Sequence, residues 1–426
     1  MIKNRNFLDV PNTLSRDVQL KDLIHTIDKD LFFNKNKTSY LNNYLCVCSG
    51  GTTSSCAKDN HITLDLRKNF NQINFDKKTN IVKIGGGVLM GNLLSQLSKF
   101  QRTFPIGLST IPGVGYILTG GISPLSRRYG LAIDNIVSAN GYFGNGETFS
   151  LEINNLTPKE IEIWSGIRGA AHFFSIITQL ELQTFPSYPI QIFEGFLKDS
   201  ELAELIIKSE DFPDNFSLQW IYSDKIYIYI VAEMKTEEDL KNINKYSSEL
   251  KKYESLREIS YEEFNQIKFF PKELNLYELN NNNYSEVISL LGENLGLESH
   301  KLIECLREIN TNKPNKSCYV ANQQLGGKTK KENFYPSLFV HRECTWKPWI
   351  FASWEKGNKK EREIALKWMN ESWIKLKKFF PKVHLAQLHN HLDSHEEELN
   401  LAFGKKLDNL KLLKNFYDPS RLLPPL

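Results

Sequence analysis

The period of the apolar positions changes several times along the chain, and each change predicts an element. Leu45–Ser49 is a short apolar run and reads as a buried strand leading straight into Gly50-Gly51-Thr52-Thr53-Ser54. His61–Leu66 reads as a second short strand. Ile73–Phe75 and Ile81–Ile84 flank the turn signal Asp76-Lys77-Lys78-Thr79-Asn80 and predict a hairpin. Leu89, Leu93, Leu97 and Phe100 then recur at helical spacing. Ile136–Phe143 and Glu147–Leu151 are joined by Gly144-Asn145-Gly146, a second hairpin. Thr157-Pro158-Lys159-Glu160 combines a capping box with proline at the first helical position. This order is α+β. It lacks the regular βαβ alternation of a Rossmann domain, and no G-x-G-x-x-G opens an early helix.

After Pro186 the pattern changes. Phe216–Tyr222 and Ile226–Glu233 are apolar-aromatic strands meeting at Ser223-Asp224-Lys225, and charged helical sequence follows from Thr236 to Tyr253. Asn280-Asn281-Asn282-Asn283 reads as a polar loop. Leu366, Met369, Trp373, Leu376 and Phe380 form one stripe within Ile364–Phe380, a core-facing helix. A chain of 426 residues has room for two domains. The boundary is expected near Pro186–Pro189, giving a first domain over 1–188 in two lobes that divide near 103, and a second over 189–384.

Composition narrows the function classes. Hydrophobic residues at 41% and charged residues at 24% are ordinary for a globular protein, and the net charge is +3. No basic patch carries interleaved aromatics, so nucleic acid is not the expected partner. The first residues, Met1-Ile2-Lys3-Asn4-Arg5-Asn6, have no apolar signal core, and no run approaches a membrane span, so a cytoplasmic protein is expected. Cys46 and Cys48 share a strand face, but no second pair stands at zinc-ligand spacing. The six cysteines are therefore expected as thiols.

Candidate chemistry gathers at three glycine-bearing segments. They are Ser49-Gly50-Gly51-Thr52-Thr53-Ser54, then Pro112-Gly113-Val114-Gly115 with Thr119-Gly120-Gly121, then Arg168-Gly169-Ala170-Ala171 before Ile176-Ile177-Thr178. Small residues let backbone N–H groups approach a phosphate or a flat ring. Together the segments suggest a large dinucleotide lying across one domain. Gly85-Gly86-Gly87 fits a strand-to-helix connection or a phosphate contact. Arg127-Arg128 read as braces, and His341-Arg342 as an ion-pair anchor. Tyr222, Tyr227 and Tyr229 read as sheet packing, one face of which remains open as a cavity lining.

These motifs, in this order, resemble a known family. Ser-Gly-Gly after a strand, Gly-Val-Gly, Gly-Gly, Leu125-Ser126-Arg127-Arg128-Tyr129-Gly130-Leu131 and Asp134-Asn135 are similar to the FAD-linked oxidases of the berberine-bridge-enzyme type, within the vanillyl-alcohol-oxidase and p-cresol-methylhydroxylase (PCMH) superfamily. Trp164 with Arg168-Gly169 and Phe174-Ser175-Ile176-Ile177-Thr178, then Gln324-Leu325-Gly326-Gly327, His341-Arg342 and Phe416-Tyr417-Asp418-Pro419, continue the match. The resemblance implies a two-lobed FAD-binding domain completed by a C-terminal return over 385–426. An α+β substrate domain on an antiparallel sheet is inserted between. It also implies FAD contacts at Ser49, Gly50, Gly51, Thr52, Thr53, Ser54, Ser109, Thr110, Gly113, Gly115, Gly120, Gly121, Ile122, Ile177 and Asn390.

Departures from the family pattern set the expected chemistry. Thr52 stands where histidyl-flavin members carry the linking His, and Leu108-Ser109-Thr110 occupies the region of the second linkage, without a Cys. FAD is therefore expected to bind without a covalent bond. The family's Tyr-x-Asn-Tyr element corresponds to Leu388-His389-Asn390-His391, retaining the Asn and neither Tyr. His389 and His391 are the candidate bases, since imidazole titrates near neutrality. In a strand, however, Asn390 shares its face with Leu388 and the two histidines share the other, so proton abstraction is expected either from a residue of the inserted domain or not at all. The expected function is an FAD-dependent oxidoreductase transferring a hydride from a small alcohol, sugar or amine to flavin N5. The alternative is a flavin-fold scaffold, catalytically degenerate, serving binding or assembly. The oligomeric state is not legible.

Overall fold

The computed structural model describes residues 44–52, 56, 63–107, 110–267, 283–332, 335–384 and 395–426. Two antiparallel sheets organise them. The first has five strands in the order β3-β4-β8-β6-β7. Its hairpins are β3 (Ile73–Asp76) with β4 (Ile81–Gly85) and β6 (Ile136–Phe143) with β7 (Thr148–Glu152); β8 (Ser175–Gln183) lies between them. Both predicted hairpins form, the second strand of the later one shifted by one residue. β1 (Cys46–Cys48) pairs in parallel with β2 (Thr63–Asp65), and β5 (Arg102–Thr103) pairs with β9 (Phe185–Pro186).

The C-terminal segment closes this unit. Leu45 N–H donates to Leu422 O at 2.6 Å, and Asn145 N–H to Tyr417 O at 2.8 Å. Leu422 and Leu423 share a small core with Leu45, Leu64, Leu66 and Ile176, and the Tyr417 ring lies 4.1 Å from that of Phe143. Burying these apolar side chains, at about 25 cal/mol per Å², ties the end of the chain to its first strands.

The second sheet has eight strands in the order β13-β10-β12-β11-β15-β16-β14-β17. They are β10 (Ile190–Leu197), β11 (Phe216–Tyr222), β12 (Ile226–Glu233), β13 (Arg257–Tyr261), β14 (Asn283–Leu291), β15 (Tyr319–Gln324), β16 (Trp346–Glu355) and β17 (Lys382–Val383). The expected Asn280–Asn283 loop needs a correction, because Asn283 already pairs with Glu355 as the first residue of β14. Residues 280–282 lie outside the described residues.

Alternation along these strands assigns the two faces. Phe193, Phe216, Leu218, Trp220, Ile228 and Ile230 join the main core beneath the helices Asp199–Ser209, Glu298–Thr311 and Lys359–Leu376. In the last of these Met369, Trp373 and Leu376 are buried as the stripe predicts. Ile192, Ile221, Tyr227, Tyr229, Val231, Tyr319 and Ala321 point the other way and pack on Leu125 and Tyr129 of the first unit. Ser217 Oγ on that face donates to Pro124 O at 2.8 Å.

Charged clamps hold this contact. Arg128 reaches Glu233 at 3.0 Å and also pairs with Asp239, while Tyr129 Oη donates to Glu233 at 2.8 Å. Arg127, buried, donates to Leu325 O at 2.6 Å and to Phe212 O at 2.5 Å, and burial pulls its pKa down to about 10. Both arginines are the braces expected. Asp134 receives Arg342 in a two-pronged pair at 2.7 and 2.8 Å and Arg168 at 3.2 Å, so Arg342 is an anchor as expected. Among the described residues no helix is long and apolar enough to cross a membrane.

Candidate active site

Two surfaces meet here, one of backbone and one of side chains. The backbone surface is assembled from the predicted glycine loops. A Cβ added to Gly50 would fall 2.2 Å from Gly113 N, and one added to Gly113 would fall 2.5 Å from Gly50 N, so the two loops touch main chain to main chain. Ser49 Oγ donates to Gly86 O at 2.6 Å, and Gly86 N–H donates to Thr178 O at 2.8 Å, beside Ile177. Met90 N–H and Gly91 N–H donate to Pro112 O and Thr110 O, both at 2.9 Å. Gly85-Gly86-Gly87 thus connects strand to helix, ending β4 ahead of the helix Met90–Ser98.

The same loop carries free donors. Among the described residues, the N–H groups of Gly50, Gly51 and Thr52 make no hydrogen bond, although Gly50 and Gly51 are buried. Gly51 has φ +78°, the left-handed conformation that turns successive N–H groups toward one side. Buried N–H groups are rarely left unpaired, and clustered ones suit phosphate oxygens. The loop fits the diphosphate of FAD. Thr110 and Gly115 are exposed nearby, and a Cβ on Gly115 would meet nothing within 4 Å, so a ligand can approach its backbone.

Gly120 and Gly121 turn at φ +133° and +68°, with their carbonyls accepting from Ile133 and Ala132 N–H groups. Ile122 is fixed through its backbone by Tyr116 Oη, at 2.9 and 3.2 Å. The Arg168–Ala171 segment departs from the expectation. A Cβ on Gly169 would strike Leu338 C and Phe339 N at 2.8 Å, so this glycine accommodates residues 338–339 rather than joining the Gly50–Gly113 contact. Thr53, Ser54, Ser109, Asn390, His389 and His391 lie outside the described residues.

The side-chain surface is a row across the second sheet. Cross-strand pairing aligns Glu194 with Tyr229, Tyr229 with Gln219, Gln219 with Gln323, and Gln323 with Lys347. This row lies on the face that packs toward Leu125 and Tyr129. Gln219 Oε1 and Gln323 Nε2 are buried without a hydrogen bond, as is Ser289 Oγ, whose residue pairs with Trp349. Lys347 is 3% exposed, and its Nζ makes no hydrogen bond or ion pair with described residues, standing instead 4.8 Å from the Trp349 ring centroid. Burial draws its pKa down to about 7.

His384 joins the two surfaces. It follows β17, is fully buried, and has neither ring nitrogen bonded among the described residues. A Cβ on Gly120 would lie 3.3 Å from its Nε2 and 3.2 Å from the Phe339 ring. Burial first, and the Lys347 charge second, push its pKa well below the usual imidazole range, so the ring is neutral. His341, by contrast, contacts Leu401 O through Nε2 at 2.6 Å.

Sequence reasoning missed Gln219, Gln323, Lys347 and His384. One signal was available: Trp346-Lys347-Pro348-Trp349 sets a lone lysine among aromatics in a strand.

Residues 41–152, which contain the Gly50–Gly113 contact and the Gly120 turn, match the FAD binding domain family. The fold agrees over almost the whole chain. A berberine-bridge-enzyme-like protein of Arabidopsis thaliana superposes with a TM-score of 0.78 at 18% identity, covering 99% of this chain and 93% of that one. The chain shares the fold of a berberine-bridge-enzyme-like protein, and residues 41–152 are similar to an FAD binding domain. FAD is the cofactor of that domain. (R)-6-hydroxynicotine oxidase of Paenarthrobacter nicotinovorans is 32% identical over 38% of this chain and 36% of its own length. An FAD-linked oxidoreductase of Dictyostelium discoideum is 25% identical over 87% of this chain and 79% of its own. The chain spans about a third of the length of the curated relatives it matches over the FAD-binding region.

Proposed function

We propose that this protein is an FAD-dependent oxidoreductase that holds its flavin without a covalent bond and oxidises a C–H bond of a small alcohol, sugar or amine-type substrate. The observation that carries this reading is the set of free N–H groups at Gly50, Gly51 and Thr52, within the segment that matches an FAD binding domain. When bound, FAD supplies the hydride acceptor at N5 and passes the electrons on to oxygen or another acceptor. Thr52 has no imidazole with which to bond the flavin.

The chain's own residues supply orientation and proton handling. Gln219 Oε1 can accept from a substrate hydroxyl or amine, and Gln323 Nε2 can donate to a substrate oxygen. His384, with both ring nitrogens free of described partners, is the residue of 189–384 placed to take the substrate O–H or N–H proton at Nε2 or Nδ1. The packing of Phe339 and Gly120 around it limits water. The scaffold alternative is not favoured, since the relatives similar in sequence are named as an oxidase and an oxidoreductase.

The test is anaerobic flavin reduction with a panel of alcohols, sugars and amines, in wild type and in His384→Ala, His389→Ala and His391→Ala. His384→Ala is expected to slow reduction by about 10²-fold or more. Loss confined to His389→Ala or His391→Ala would move the base to residues 389–391. An active His384→Ala, with both tail variants active, would remove all three.

A further inference from the structure

The row across the second sheet is unbalanced in charge. Its one carboxylate, Glu194, accepts from Tyr227 Oη at 2.5 Å and pairs with Arg257 at 2.6 Å. It also stands four strands from Lys347, about 19 Å at the usual strand spacing. Among the described residues nothing anionic reaches Lys347 Nζ. An ammonium in this position is expensive to bury alone, because an isolated charge loses its hydration without compensation. The Trp349 face offsets only part of that cost. Around Lys347 stand neutral groups with unused hydrogen-bonding atoms: Gln323 Nε2, Gln219 Oε1, Ser289 Oγ and the two nitrogens of His384. Such a set lacks an acid.

We infer that Lys347 is the anchor for a carboxylate carried by the substrate, so that the site takes a small acid bearing the oxidisable C–H rather than an uncharged alcohol, sugar or amine. This rests on the oxidoreductase reading above and narrows its substrate class. A carboxylate places one negative charge against one ammonium, and its second oxygen can accept from Gln323 Nε2. A phosphate dianion is disfavoured. Its second charge would need another cation, and His384 is kept neutral by burial and by Lys347 itself. The aromatic Trp349 beside the ammonium favours a planar or apolar body on the acid. Lys347 is a binding residue in this account, not the base.

The experiment uses the FAD-loaded protein, its flavin content first fixed from the visible spectrum. Benzoate, mandelate and lactate are titrated against their uncharged amides, and binding is read by perturbation of the flavin bands and by calorimetry. The carboxylates are expected to bind at least about 30-fold more tightly than the amides in wild type, the penalty usual when one partner of a buried charged pair is removed. Lys347→Met is expected to erase that preference while retaining its flavin. The wild-type comparison alone decides the matter if the variant fails to fold. Equal binding of acid and amide by a yellow wild-type protein would overturn the inference and leave the oxidoreductase reading intact. A colourless protein that takes up no FAD would sink the oxidoreductase reading instead. Calorimetry would then still support the carboxylate site if the preference persisted, and overturn it if acid and amide bound alike.

Discussion

The loop surface around Gly50 and the sheet face around Lys347 solve opposite problems. At the loops the chain leaves main-chain donors free, and the shape is set by Gly50 and Gly113, where an added side chain would collide with main chain. On the sheet face Gln219, Gln323 and Lys347 are aligned by the ladder, and the unbonded buried atoms are side-chain atoms of Gln219, Gln323 and Ser289, with His384 after the last strand. A backbone site suits a ligand whose chemistry is constant, such as a diphosphate. A side-chain site can be changed residue by residue without disturbing the fold. The difference implies that substitutions at the first surface damage structure and cofactor together, whereas substitutions at the second separate binding from stability.

The largest effect is expected where charge supports the frame. Asp134→Ala leaves Arg168 and Arg342 buried beside each other without their shared carboxylate, and chemical denaturation should record a loss of about 3–5 kcal/mol. A loss below 1 kcal/mol would mean the arginines find other partners. Next comes Gly50→Ala, whose methyl would sit 2.2 Å from Gly113 N. Separating the loops should cost about 1–3 kcal/mol and reduce FAD affinity at least tenfold, measured by fluorescence titration. Normal affinity with lowered stability would detach this contact from the cofactor.

The sheet-face substitutions should behave differently. Lys347 has a folded pKa drawn down to about 7 from an ordinary value near 10.5, so between those values the unfolded chain binds more protons. Stability of wild type relative to Lys347→Met should therefore rise as pH goes from 7 toward 10, and be least favourable below 7, where the ammonium is buried. Denaturation curves of both proteins at pH 6, 8 and 9.5 test this, and a flat difference would contradict it. The smallest change is expected for Gln323→Met, within about 1 kcal/mol of wild type, because its amide makes no hydrogen bond to lose among the described residues. A loss as large as that of Asp134→Ala would break the distinction between the two surfaces.

This division also explains what could be read from the chain. The hairpins at Asp76–Asn80 and Gly144–Gly146, the Thr157 cap and the strands Phe216–Tyr222 and Ile226–Glu233 are local, and local chemistry announces them. The meeting of the Gly50 and Gly113 loops is legible in part, because glycine lets two main chains approach closely. The row Gln219, Gln323, Lys347 is spread over three strands between residues 219 and 347, and only register brings it together. Nothing about a glutamine in an apolar strand reveals whether its amide faces a helix or a site. Gln324, which turns the other way, is satisfied by Ser209 O at 2.6 Å, while its neighbour Gln323 is not. Gly169 misled for a related reason: a glycine can accommodate protein as readily as a ligand.

The central claim is a backbone site that binds FAD without a covalent bond, and the visible spectrum before and after acid precipitation tests it most directly. The account predicts flavin bands in the purified or FAD-incubated protein, close to one FAD per chain, with the yellow colour left in the supernatant once the protein is precipitated. Colour that stays with the washed pellet would contradict the role given to Thr52, and a protein that takes up no FAD would contradict the site itself.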